Sequence, residues 1–132
     1  MPTAFYFGPF GLAISIVIYF AVAYEFEMLP PAVELLRGID TKLRAKAART
    51  IELLRRFGPT LAMPHAKKLS GYPLWELRVK QGSNIVRMFY FAIGGTTYVV
   101  TSGFSKKSDR TNRSEIERAM RLRAAVLEER DE

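Results

Sequence analysis

The stretch Leu74–Phe104, LWELRVKQGSNIVRMFYFAIGGTTYVVTSGF, decides the fold. It divides into Leu74–Lys80, Ile85–Ile93 and Thr96–Phe104, three runs rich in β-branched and aromatic residues and separated by Gly82-Ser83 and Gly94-Gly95. Such runs between glycine turns predict an antiparallel meander. Turn length sets the register. A two-residue turn at Gly82-Ser83, or a four-residue loop of the same symmetry, pairs Arg78 with Arg87 and Lys80 with Ile85. A two-residue turn at Gly94-Gly95 pairs Ile93 with Thr96, Phe89 with Val100 and Arg87 with Ser102. One face then gathers Trp75, Leu77, Val79, Val86, Met88, Tyr90 and Val99, the expected core. The other carries the row Arg78, Arg87, Ser102, with Lys80 beside it and Lys106 and Lys107 just past the last strand.

Upstream, Tyr24–Leu29 alternates Tyr24, Phe26 and Met28 with Glu25 and Glu27, the period of a half-buried strand. Pro30-Pro31 ends it and opens a short helix to about Arg37, broken by Gly38. Asp40 or Thr41 caps a second helix whose apolar stripe is Leu43, Ala47, Ile51 and Leu54, and Gly58-Pro59 stops it. A loop-like basic segment with His65, Lys67 and Lys68 leads into the meander. Downstream, Ser114 and Glu117 form a capping-box pattern before a helix through Ile116, Met120 and Leu127. The order β-α-α-β-β-β-α predicts an α+β fold with its helices on one face of a mostly antiparallel sheet.

The 132 residues suffice for one core and hold 20 Lys+Arg against 13 Asp+Glu, a net charge of +7. That balance favours an anionic partner, nucleic acid or anionic lipid. With no cysteine there is neither a disulfide framework nor a thiolate metal site, and the single histidine argues against zinc chemistry; both suit a reducing cytoplasm. No charged residue falls within the first 24 positions. Leu12–Ala23, LAISIVIYFAVA, is apolar enough for a membrane segment, yet Gly8, Pro9 and Gly11 shorten the run and no Lys or Arg precedes it. Residues 1–23 read as an N-terminal extension, either a membrane segment or a start site placed too far upstream, ahead of a domain spanning 24–132.

Two arginines opposite each other on a sheet repel by about 0.2–1 kcal/mol. Phosphate reverses that sign, because a guanidinium donates two parallel hydrogen bonds to it. The expected site is therefore a solvent-facing basic groove that the helices leave bare, with Glu76 as the ion-pair partner of Arg78 or a second acid–base candidate; the alternative is a solvated basic face that Glu76 balances.

Read together, PHAKKLSGYPLWELRVKQGSNIVRMFYF, GGTTYVVTSGFSKKS and a following helix rich in Glu and Arg resemble the RelE/HigB toxin superfamily, most of all its phage-derived HigB-like branch. The resemblance runs from Tyr24 to Arg123 and is most specific over Pro64–Ser108. It implies a RelE-like fold and a metal-independent endoribonuclease without cofactors. Such an enzyme cuts mRNA in the ribosomal A site and is neutralised by a cognate helix-turn-helix antitoxin. It also implies catalytic roles for Arg78, Arg87 and Lys106 or Lys107, and RNA contacts for Lys67 and Lys68. The tyrosine such toxins often carry early in the last helix is absent, since NRSEIERA offers none.

Attack by a ribose 2′-hydroxyl needs a base, an acid and positive charge for the transition state. Arginine supplies only the charge, which makes Arg78 and Arg87 the phosphate clamp and Lys106 or Lys107 the support for the leaving group. His65 is the candidate base, or else a loop residue that binds RNA or its neighbours. Lys80 and Ser102 line the groove, and Phe104 stacks on a base or packs at the core's edge. On this reading Arg87→Ala abolishes cleavage and leaves the domain folded. A gyrase poison of the ParE type and a non-catalytic antitoxin-binding protein share the fold and stay open as alternatives.

Overall fold

A computed structural model describes residues 24–106 and 112–130. The expectations for residues 1–23 and for Lys107 lie outside the described residues. In chain order the elements are strand β1 (Glu25–Met28), helices α1 (Pro30–Gly38) and α2 (Thr41–Phe57), a turn of 3₁₀ helix (Gly58–Thr60), strands β2 (Ala66–Lys68), β3 (Trp75–Gln81), β4 (Asn84–Ile93) and β5 (Thr97–Lys106), and helix α3 (Arg113–Arg130). The fold class is α+β, as expected. The sheet order is β1-β5-β4-β3-β2, and β1 lies parallel to β5. The basic segment taken for a loop contributes a strand of its own, β2, antiparallel to β3.

Local chemistry fixes the helix ends. Asp40 caps α2, its carboxylate accepting the Leu43 N–H at 2.9 Å. Arg44 folds back so that its guanidinium donates to the carbonyls of Leu36, Arg37 and Ile39, the groups α1 leaves without helical partners. At the other end of α2, Gly58 takes φ +53° and the Tyr24 ring fills the space a side chain would need. The last helix departs from its expected cap. It begins one residue earlier, and the Asn112 carboxamide oxygen accepts the Ser114 N–H at 2.9 Å.

The layering also differs from expectation. Helices α1 and α2 bury Ala32, Leu43, Ala47 and Leu54 against Leu77, Val79, Val86, Met88, Tyr90 and Val100. Helix α3 buries Ile116, Ala119 and Val126 against Phe89, Phe91 and Val99 on the opposite face. The helices therefore cover both faces, not one. The cause is legible in β4, where Phe89 and Phe91 are as apolar as Met88 and Tyr90, so that both sides of the central strand demand cover. Arg130 of α3 reaches Glu27 of β1 at 2.5 Å and ties the end of the helix to the sheet's far edge. Among the described residues no helix is long and apolar enough to cross a membrane.

Register explains which residues share a face. The β3–β4 hairpin is as expected, with Arg78 opposite Arg87 and Lys80 opposite Ile85. The β4–β5 hairpin is not: Ile93 pairs with Thr97 around a three-residue loop in which Gly94 and Gly95 both take positive φ. That extra loop residue flips the parity of β5, sending Val99 to the α3 face and Tyr98 and Val100 to the α1–α2 face. A bulge between Phe89 and Tyr90 then leaves Thr101 unpaired and restores the parity further on, so that Phe89 faces Ser102, Arg87 faces Phe104 and Ile85 faces Lys106.

Candidate nucleic-acid interface

Three cross-strand rows contain charged residues of the α3 face. They are Lys67, Glu76, Phe89, Ser102; then Arg78, Arg87, Phe104; then Lys80, Ile85, Lys106. His65 extends the middle row, because its carbonyl accepts the Arg78 N–H at 2.9 Å in continuation of the β2–β3 ladder. Of the residues expected to act together, His65, Arg78 and Lys80 do meet. They line a cleft of about 340 Å³ with Lys46 and Thr50 of α2, Pro64, Val79 and Ile85. Lys46 also donates to the Lys80 carbonyl, which fixes α2 to the edge of the sheet.

Arg87 corrects the central expectation. Its side chain is 2% exposed and donates to Glu76, itself fully buried, at 2.9 Å. It cannot face solvent as half of a phosphate clamp, and Glu76, expected to pair with Arg78, pairs with Arg87. The reason is position: β4 is the central strand, flanked on this face by Phe89, and Phe104 is opposite Arg87 with its ring 6.1 Å from that of Phe89. A charge in such a place must be paired. The signal was in the sequence, since Arg87 interrupts the otherwise apolar Ile85–Ile93 and Glu76 sits diagonally across the hairpin.

The other expected residues divide. Lys67 is exposed on the basic face, opposite Glu76. Lys68 has the other parity, and its ammonium donates to the Tyr72 carbonyl at 2.5 Å, away from the groove. Ser102 is fully buried and sits 3.3 Å from the Thr101 hydroxyl, so it has no access to RNA. Phe104 is half-buried beside Phe89, nearer to the edge-of-core reading than to an open stacking platform. Lys106 keeps its register position opposite Ile85. Sequence reading missed Lys46 and Thr50, because α2 was read only for its apolar stripe; Thr50 is buried in that stripe and its hydroxyl donates to the Lys46 carbonyl at 3.1 Å.

The sequence pattern of the phage-derived Gp49-like proteins (DUF891) matches residues 34–124, well over half of the chain and every element of the cleft. The chain belongs to this family. Among solved structures it is similar to a chain of the intact Escherichia coli RelBE toxin–antitoxin complex, at 20% identity over 67% of this chain and 100% of that one, with a TM-score of 0.48. It is also similar to a chain of the Mycobacterium tuberculosis RelBE2 complex (16% identity, 64% and 100% covered, TM-score 0.48). A third similarity is to the Pyrococcus horikoshii OT3 RelE–RelB complex (13% identity, 67% and 99% covered, TM-score 0.49). No curated protein sequence matches the chain.

In this Gp49-like family member the lining of the cleft suits an anion. Arg78 offers a planar guanidinium, Lys80 and Lys46 offer point charges, and His65 offers an imidazole. Among the described residues no three His, Asp or Glu side chains are grouped to hold a metal ion.

Proposed function

We propose that this chain is the toxin of a type II toxin–antitoxin pair: a metal-independent endoribonuclease that cuts mRNA on the ribosome in the cytoplasm and is held in check by a helix-turn-helix antitoxin. The observation that carries the reading is the cleft that joins His65, Arg78, Lys80 and Lys46 at an accessible edge of the sheet. The resemblance of Pro64–Ser108 to RelE/HigB toxins supports the same assignment. Arg78 binds the scissile phosphate and stabilises the charge that grows on it. His65 takes the proton of the 2′-hydroxyl, and Lys80 holds the adjoining phosphate. Lys106 or Lys107 assists the leaving 5′-oxygen. Arg87 acts as a positioning residue: its ion pair with Glu76 fixes β3 and β4 beneath Arg78.

Induction in bacterial cells, with mRNA ends mapped in the presence and absence of translation, tests the proposal. The wild type should cut messages only while they are translated. Arg78→Ala should lower cleavage on the order of 10²–10³-fold, the usual loss when one transition-state charge donor is removed. A folded Arg78→Ala protein cutting at the wild-type rate would overturn the site. DNA breaks with intact messages would overturn the activity in favour of a gyrase poison.

A further inference from the structure

A second recess lies along α2. It is about 370 Å³ in volume and is lined by Lys46, Arg49, Thr50, Glu52, Leu53 and His65. Three of these, Lys46, Thr50 and His65, also line the cleft on the sheet, so the two recesses join at His65. Each is of the size that takes one small ligand. Joined, they make a path that runs off the sheet face and onto the helix.

The join lies where the sheet stops. Strand β2 pairs with Trp75–Leu77 only, and one further bond runs from the Arg78 N–H to the His65 carbonyl. The Lys46 ammonium meets the Lys80 carbonyl just beyond. Cations are strung along the path: Lys80 and Arg78 on the sheet, Lys46 at the join, Arg49 on the helix. One carboxylate lines it, Glu52, which Arg55 holds at 3.0 Å. Cations spread over two adjoining recesses suit successive phosphates of one chain. Pro64, exposed, and Leu53, half-buried, add apolar surface that a base can rest on. A path that turns over a strand edge fits a flexible single strand, whereas a stiff duplex would bridge it.

We infer that an unpaired RNA strand held in the sheet cleft continues past His65 and lies along α2, where Lys46 and Arg49 receive its phosphates. The inference rests on the RNA reading above and adds the course of the strand beyond the reacting phosphate. Arg49 is the discriminating residue, being exposed, part of the second recess only and absent from the sheet cleft.

The test is fluorescence anisotropy with two labelled oligouridylates, one of three nucleotides and one of roughly twelve, over a range of KCl concentrations. Arg49→Ala should weaken binding of the longer RNA about fivefold, the value of one exposed charge-assisted contact. It should lower the slope of log K against log salt by about 0.7, one phosphate contact on a single strand. Binding of the trinucleotide, which centres on the sheet cleft and leaves less chain for the helix, should change less than binding of the longer RNA. Arg56→Ala removes the same charge from the same helix outside the recess and should leave both affinities within about twofold. The inference is overturned if Arg49→Ala and Arg56→Ala behave alike, or if the short and long RNAs lose affinity equally. When the wild type still cleaves translated mRNA in that case, only the path along α2 is lost. A wild type that neither cleaves nor binds the trinucleotide removes the RNA reading and this one with it.

Discussion

On the face covered by α1 and α2, the strands present Leu77, Val79, Val86, Met88, Tyr90 and Val100, all buried and none charged. On the opposite face the same strands present Phe89, Phe91 and Val99 at one end and Glu76, Arg78, Lys80 and Arg87 at the other. The first face is covered by two helices; the second is covered by α3 mainly over β5 and β4. The difference shows how one sheet supports both a core and a site. Charge is carried where cover runs out, and the seam between the two regimes is a buried ion pair. Arg87 and Glu76 sit at that seam, diagonal to each other across the β3–β4 hairpin.

The sharpest way to break the comparison is to remove one partner of the seam. Glu76→Ala leaves the Arg87 guanidinium buried without its carboxylate and should cost about 3–5 kcal/mol. That matches the roughly 2–5 kcal/mol expected for Leu77→Ala in the apolar face, where the loss comes from a cavity. The double replacement Glu76→Leu with Arg87→Met separates the causes. It should recover most of the loss in urea melts, because a well-packed apolar pair of similar volume is often neutral or better. A double variant no more stable than Glu76→Ala would mean that the pair is needed for something other than mutual neutralisation. It follows that Arg87→Ala is a folding variant and a poor probe of catalysis, contrary to the expectation from sequence.

The next effect sits on the first face, where β5 passes beneath α1. A Cβ at Gly103 would lie 2.3 Å from the Arg87 carbonyl oxygen, 2.9 Å from Leu35 Cδ2 and 3.0 Å from Met88 Cα. Two of those atoms belong to backbone and cannot turn aside. Gly103→Ala should destabilise the fold by roughly 1–3 kcal/mol through overpacking. A thermal melt unchanged from wild type would show that β5 has more room than its register implies.

How much of this was legible in the sequence depends on which side of β4 is considered. The apolar alternation of β3 and the symmetric turn at Gly82-Ser83 placed Arg78 opposite Arg87 correctly, since a two-residue loop admits little variation. The second hairpin failed by one residue, because Gly94-Gly95-Thr96 suits a three-residue loop as well as Gly94-Gly95 suits a two-residue one. A single residue inverts the face of every later side chain, and the bulge at Thr101 inverts it back. Thus Val99 was assigned to the wrong core and Ser102 to the wrong partner. Arg78 and Lys80 were found because their face depends only on the first hairpin, and His65 because it is the single histidine of the sequence. Lys46 and Arg49 were not, because tertiary packing decides which side of a basic helix borders a sheet edge. Strand β2 was read as a loop, being three residues long and basic.

The aromatic end of the first face yields a pH prediction. Burial pushes the Tyr90 phenol far above its ordinary value of 10.0, with the neighbouring Tyr98 adding to the shift. Tyr98 moves in the same direction, again by burial first and then through Tyr24. A group whose pKa is higher when folded than unfolded holds its proton more tightly in the native state. Its contribution is fully present below the unfolded pKa and is lost as pH rises towards the folded one. Stability should therefore be level up to about pH 10 and fall above it. Tyr90→Phe should flatten that alkaline fall in chemical denaturation. An identical fall in the variant would assign the effect to other groups.

The smallest effect tests the exposed end of the second face. Lys80 is exposed and lines the cleft, and Lys46 is held by its carbonyl, which any residue at this position supplies. Lys80→Ala therefore keeps the contact between α2 and the strand edge and removes only an ammonium from the groove. Stability should stay within about 0.5 kcal/mol of wild type, the usual range for a surface change away from special features. If the cleft is a phosphate site, the same variant should lose affinity for short RNA and lower its salt slope by about 0.7. A change in stability as large as that of Glu76→Ala would place Lys80 on the structural side of the seam. A change in neither property would leave the cations of this end as a solvated fringe, with the face divided by cover alone and not by use.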